Sequence, residues 1–230
     1  SLELSLRADP ETVQLTEVLY RDALSTLEGE AEIRNIGFSP PRGELWIRMN
    51  SRDGEESYRG IVSVQEQQLK GNLSARGFPL GRVKTLPMTG TLDTTFEISG
   101  TRSNPRVDYS LQLEEAQYNA TSVAFSGKGT ITPQRLTVNN VNAEFRNHLL
   151  NGGSGELRLP SGEFSLAGRY RAILQNRSAE AAVNASGTLE DLESIRSLAK
   201  VPKKNVEASI RFSELTLFQQ QLDPWEFRFS

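Results

Sequence analysis

The chain predicts an all-β fold, a mostly antiparallel meander of strands joined by hairpins, and three observations carry that expectation. From Thr94 to Leu174 apolar residues recur at every second position: Phe96 and Ile98, then Val107, Tyr109, Leu111 and Leu113, then runs over 125–131, 136–145, 155–159 and 164–174. Period two is the spacing of side chains along one face of a strand. Glycine, asparagine or proline separates the runs, the residue types that tight turns require. The runs number about twelve to sixteen and follow one another every 10 to 16 residues or so, which suits hairpin links and is too short for the crossovers of parallel strands.

The elements follow in order. Leu2, Leu4 and Leu6 alternate with polar residues up to Asp9-Pro10 and read as a strand. The stretch from Glu11 to Leu24 admits two readings. Asp9 as a cap, Pro10 at a first helical position and the shared helical face of Leu15, Val18, Leu19 and Asp22 suit a helix. Thr12, Val13, Thr16, Val18 and Tyr20 are strand-favouring types in an all-strand neighbourhood, and the balance favours a strand. Leu27, Gly29, Ala31 and Ile33 alternate up to the break at Ser39-Pro40-Pro41 and Gly43; Leu45, Ile47 and Met49 alternate after it. The segment from Asn50 to Glu56 is a polar turn around Asp53-Gly54, a strong hairpin signal. Tyr58, Gly60, Val62 and Val64 follow, then Leu69, Gly71, Leu73 and Ala75, and Phe78-Pro79-Leu80-Gly81 closes the group, with a sub-boundary near 76–90.

Beyond Leu174, Ala181, Val183 and Ala185 continue the strands. Leu189, Leu192, Ile195, Leu198 and Ala199 then recur at three and four, which predicts a short amphipathic helix near 189–199, ended by Pro202. Val206, Ala208, Ile210 and Phe212 resume the strand pattern, followed by Leu215 and Leu217 and finally Trp225, Phe227 and Phe229. Both ends fall inside alternating runs, so the expectation for 1–230 is a single β-repeat segment cut from a longer array. Phrases such as Ile98-Ser99-Gly100-Thr101 and Ala185-Ser186-Gly187-Thr188 suggest a quasi-repeat in which glycine ends or bends a strand.

Composition narrows the function. A length of 230 residues with 37% hydrophobic and 24% charged residues is globular rather than disordered. A net charge of −3 offers no basic footprint, and no nucleic acid is expected as a partner. The absence of cysteine rules out disulfides, thiolate metal sites and thiol nucleophiles, and agrees with an oxidising compartment such as a periplasm. No apolar run reaches the roughly 18 to 20 residues that span a bilayer.

The search for chemistry finds little. His148 is the only histidine, so any Ser-His-Asp triad must pass through it, and no Gly-x-Ser-x-Gly elbow is present. His148 reads as a strand-end or turn residue. Asn151-Gly152-Gly153-Ser154-Gly155 reads as a hairpin loop, because it lacks the Lys-Ser/Thr ending and the helix of a phosphate cradle. Glu28, Glu30 and Glu32 read as the solvated side of a strand, and Glu190, Asp191 and Glu193 as the first turn of the helix, so neither group is expected to hold a metal. Lys200, Lys203 and Lys204 read as a solvated loop rather than a contact for anionic headgroups. Asn72, Asn119, Asn176 and Asn184 begin sequons that matter only in a eukaryotic secretory protein. No enzyme, no catalytic residue and no cofactor is expected.

What remains is the apolar face itself: Phe96, Ile98, Val107, Tyr109, Leu111, Leu113, Leu136, Val138, Phe145, Leu157, Leu159, Phe164, Leu166, Tyr170, Val183, Ile210 and Phe212. It either packs on itself as a sandwich core or lines an open groove. Burial at about 25 cal/mol per Å² stabilises both arrangements alike, so only the shape distinguishes them.

The phrases Phe78-Pro79-Leu80, Thr89-Gly90-Thr91-Leu92-Asp93, Ile98-Ser99-Gly100-Thr101 with Asn104-Pro105-Arg106-Val107, and Gly153-Ser154-Gly155-Glu156-Leu157 resemble the repeats of the TamB (translocation-and-assembly-module) family, in the AsmA-like group of Gram-negative envelope proteins. The likeness covers about 75–190, and the helical pattern near 189–199 departs from it. The resemblance implies an elongated, curled sheet, a β-taco, with an apolar open groove inside and a polar outside. It also implies an inner-membrane-anchored protein crossing the periplasm toward an outer-membrane barrel of the BamA/TamA type. The implied function is passive conduction of phospholipid acyl chains between the two membranes, supporting outer-membrane biogenesis, with the apolar face above as the groove lining. A closed β-scaffold for barrel assembly that holds no lipid is the alternative. An outer-membrane barrel is weakened by the 7% aromatic content and the lack of girdles.

Overall fold

The computed structural model describes residues 1–10, 12–38, 41–83, 88–159, 161–174, 177–189, 206–217 and 220–229. The predicted helix near 189–199 and the lysine loop of Lys200, Lys203 and Lys204 lie outside the described residues. Among the described residues every extended element is a β-strand, apart from one 3-10 turn, Leu80–Arg82. The protein is an all-β antiparallel meander. It divides into two compact units, Ser1–Val123 and Ala124–Ser230.

The first unit carries β1 (Leu2–Ala8), β2 (Val13–Arg21), β3 (Thr26–Phe38), β4 (Pro41–Ser51), β5 (Ser57–Gln65), β6 (Gln68–Pro79), β7 (Met88–Gly100) and β8 (Pro105–Tyr118). Each pairs with its predecessor in antiparallel register. Among the described residues β1 has β2 as its sole ladder neighbour, and the sheet is open and not a barrel.

The boundary falls within β9 (Thr121–Ile131). The second unit continues with β10 (Arg135–Phe145), β11 (His148–Arg158), β12 (Glu163–Leu174), β13 (Arg177–Leu189), β14 (Val206–Leu217), β15 (Gln220–Gln221) and β16 (Trp225–Phe229). The order is again sequential, and β14 divides its free edge between β15 and β16.

Bulges keep the alternation in phase. Glu11 to Leu24, which admitted two readings, contains strand β2, and the Leu15–Val18 spacing that resembled a helical face is a bulge: Leu15 and Val18 face Ala31 and Gly29, three residues against two. Ala75 and Phe78 likewise face Thr94 and Leu92. Gly77 takes the extra position at φ +66, where a Cβ would stand 2.0 Å from the Glu55 carbonyl oxygen. Only glycine fits there.

The glycine-rich stretch Asn151–Gly155 corrects the hairpin-loop expectation. It lies inside β11, with a register shift between Asn151 and Ser154 and Gly152 at φ +61. The loop composition belongs to a bulge, and the actual hairpin turn is Arg146-Asn147, just before β11. His148 opens that strand, as expected of a strand-end residue.

Candidate functional site

In an antiparallel ladder, residues directly opposite one another point to the same side of the sheet. The registers of the first unit therefore assemble rows that cross seven or eight strands. One row runs Leu6, Leu15, Ala31, Ile47, Gly60, Leu73, Phe96 and Tyr109. A second runs Leu4, Val18, Gly29, Met49, Tyr58, Ala75, Thr94 and Leu111, and a third runs Val13, Ile33, Leu45, Val62, Gly71, Ile98 and Val107. Leu113 stands opposite Leu92 and Phe78 beyond the second bulge. Thr94 is the one aliphatic hydroxyl in these rows, and it donates to the Ser110 carbonyl at 2.9 Å, so its polarity is satisfied inside the sheet. The glycines make room for larger neighbours: at Gly60 a Cβ would meet Leu73 Cδ2 at 2.2 Å.

The opposite face is polar. Arg48 stands between Glu30 and Arg59, and Ser74, Thr95 and Ser110 continue that row. Glu28 accepts from Arg52 Nε at 2.6 Å, and Glu32 takes Gln14 at 2.8 Å together with Arg34. Glu28 and Glu32 are ion-paired on the solvent side, and Glu30 stands opposite Arg48 on the same face. Trp46 and Ile61, opposite one another, are an apolar exception.

Leu2, Val18, Tyr20, Leu27, Ile47, Met49, Tyr58, Leu73 and Phe96 border one cavity of about 590 Å³ on the apolar face, reaching from β1 to β7. No large side chain among the described residues is fully buried, and Leu4 and Leu6 are 53% and 65% exposed. A face-to-face sandwich would have covered them. Buried apolar residues are few: in this unit Val18, Leu27, Ala31, Leu80 and Ala116.

One rim of this cavity is polar and was invisible in the sequence. Arg82, on the 3-10 turn, places all five of its N–H donors. Nε donates to Asp22 Oδ2 at 2.6 Å, Nη1 to Glu56 and to the Tyr58 hydroxyl at 2.9 Å, and Nη2 to Ser25 Oγ at 2.6 Å and Glu56 Oε2 at 3.0 Å. Its guanidinium also stands 5.7 Å from the Tyr20 ring centre and 5.9 Å from that of Phe78. Glu56, expected in an exposed polar turn, is 3% exposed; it is drawn inward because the guanidinium and the Tyr58 and Ser25 hydroxyls satisfy it. The Arg82 hydrogen bond holds the Asp22 carboxyl well below the usual carboxylate range against a smaller opposing effect of burial. Burial, aided by the bond to Glu56, pushes the Tyr58 phenol well above its ordinary value.

The second unit repeats the plan. Leu136, Leu157 and Phe164 share a row with Gly187 and Ala208; Val138, Gly155, Leu166 and Ala185 share the next, with Ile210 at the following register position. Val183 stands opposite Phe212, and Phe212 opposite Trp225. Tyr170 faces Leu150 and Ala181, and Phe145 faces His148. His148 Nδ1 hydrogen-bonds the Tyr170 hydroxyl and stacks on that ring at 5.9 Å. Leu159 falls in the turn after β11, off the ladder. Leu166 is 49% exposed. On the opposite, polar face of this unit Thr137, Ser165, Ser186, Ser209, Asn184 and Arg211 border a depression of about 620 Å³.

No protein-family model matches the chain, and no curated protein or solved structure matches it either.

Proposed function

We propose that this protein is a segment of a bridge-like lipid conduit of the TamB and AsmA-like kind, working in the periplasm as part of an inner-membrane-anchored envelope protein. Phospholipid acyl chains lie against the apolar face while headgroups stay in water. The conduit has no reaction of its own and takes no cofactor. Through the full-length protein it partners an outer-membrane barrel of the BamA/TamA type and supports outer-membrane biogenesis.

The observation that carries this reading is the set of cross-strand apolar rows, half-buried or exposed apart from Val18, Ala31 and Thr94, with no second layer packed over them among the described residues. Exposed apolar area on this scale marks a surface with an apolar occupant. An acyl chain gains about 0.8 kcal/mol for each CH₂ moved out of water, enough to hold a chain without any specific polar contact.

The test places photo-crosslinking residues at Phe96, Leu111 and Leu166 of the full-length protein in cells. Phospholipid is captured at these positions, and at Glu97 or Gln112, on the opposite face, it is not. A folded protein that captures an outer-membrane barrel precursor but no phospholipid replaces the conduit with a β-scaffold for barrel assembly.

A further inference from the structure

We propose that Leu80–Val83 is a releasable strap across one rim of the first unit's apolar groove, fastened by Arg82, and that its release controls loading of the groove. This inference rests on the lipid-conduit reading.

Three connections meet at this rim. The β2–β3 turn contributes Asp22 and Ser25, the β4–β5 turn contributes Glu56 and the start of β5 Tyr58, and the chain between β6 and β7 contributes Arg82. One guanidinium thereby ties the ends of six strands, across chain separations of 24 to 60 residues. The same side chain forms part of the groove wall beside Tyr20, Leu27 and Tyr58.

Among the described residues the strap has few other ties. Pro79, opposite Thr91, is its last residue in the ladder, and a single backbone bond, Val83 N–H to the Leu80 carbonyl at 2.9 Å, closes the turn. Leu80, 4% exposed, is its apolar anchor. Desolvation offsets most of the attraction in a buried ion cluster, so the intact cluster as a whole contributes position more than net stability, although removing Arg82 alone strands Glu56. A fastening of that kind determines where the strap lies and can be undone without unfolding the ladder. Two carboxylates on one guanidinium also leave the cluster with an excess negative charge, an opening for a competing cationic group.

The experiment compares four forms of the chain, wild type among them, for uptake of a pyrene-tailed phosphatidylglycerol from vesicles of the same lipid. Arg82→Met keeps the aliphatic bulk and removes the fastening. Leu24→Cys with Gly81→Cys, joined by a short bis-maleimide, locks the strap, because a Cβ at Gly81 stands 3.6 Å from Leu24 Cδ1 and both positions are exposed. The same pair blocked with N-ethylmaleimide is the control, and the protein's lack of cysteine makes the labelling unambiguous. Uptake in Arg82→Met rises about tenfold over wild type, equivalent to about 1.4 kcal/mol of fastening, and the locked form falls below its control. Equal uptake in all forms overturns the strap and leaves the conduit standing. No uptake by any form overturns both. If Arg82→Met does not fold, the locked form against its control still decides.

Discussion

Arg82 Nε donates to Asp22 Oδ2 at 2.6 Å, joining two turns that lie 60 residues apart in the chain. The side chain of the aspartate is 21% exposed and that of the arginine 13%, and water screens the pair in part from the aspartate's side. Because Asp22 also accepts from the Leu24 and Ser25 backbone N–H groups, it orders its own turn and offers the result to Arg82.

The pair has a definite pH signature. The folded-state pKa of Asp22 lies below its unfolded value of about 3.9. Its contribution is therefore complete above that value and is lost as pH falls through the lower folded one. Asp22→Asn is expected to be less stable than wild type by a constant amount above about pH 5, with the gap narrowing below about pH 4. Urea denaturation of both proteins across that range checks it, and a gap that widens on acidification contradicts the assignment.

Removing Arg82 strands a buried carboxylate. Arg82→Ala is expected to cost about 3 to 5 kcal/mol, because Glu56 keeps its burial and loses its counter-charge. Adding Glu56→Gln restores part of that loss, so the two changes are not additive. Denaturation midpoints of the two single variants and the double variant measure the coupling.

The bulge at Gly77 makes a sharper steric prediction. Gly77 and Gly54 both have positive φ, at +66 and +79, but a Cβ meets the Glu55 carbonyl oxygen at 2.0 Å only at Gly77. Alanine at either site carries the backbone penalty of about 1 kcal/mol, and alanine at Gly77 adds a clash that the ladder must absorb. Gly77→Ala therefore lowers the thermal midpoint distinctly more than Gly54→Ala.

Neighbouring residues on one strand separate the two faces. Leu111 lies on the apolar face opposite Thr94, while Gln112 lies on the other, opposite Asp93. Leu111→Asp is expected to abolish phospholipid capture by a photo-crosslinker at Phe96, and Gln112→Asp to leave it unchanged. Circular dichroism of both variants establishes that they are folded. Loss of capture in both removes the role assigned to the face.

Much of this architecture is legible in the residues. Phe96 and Ile98 alternate with Glu97 and Ser99, and the ladder places them opposite Tyr109 and Val107, on the expected face. A spacing of three between apolar residues, as in Leu15–Val18, Ala75–Phe78 and Val138–Val141, marks a register shift each time. In a chain of strands that interval signals a bulge rather than a helix. Asn151–Gly155 misleads in the same way, since glycine and asparagine serve a bulge as well as a turn.

The sequence by itself determined the strands, their antiparallel order and the separation of apolar from polar faces, because side-chain period and turn chemistry are properties of a few neighbouring residues. Only the tertiary structure decided that this face is left half-exposed, because that depends on whether any other layer comes to rest on it. It also decided that Arg82, Asp22 and Glu56 form one cluster at its rim. Arg82 sits in a chain with 26 lysines and arginines and carries no local mark. What distinguishes it is the meeting of three connections, distant in the chain, at one guanidinium.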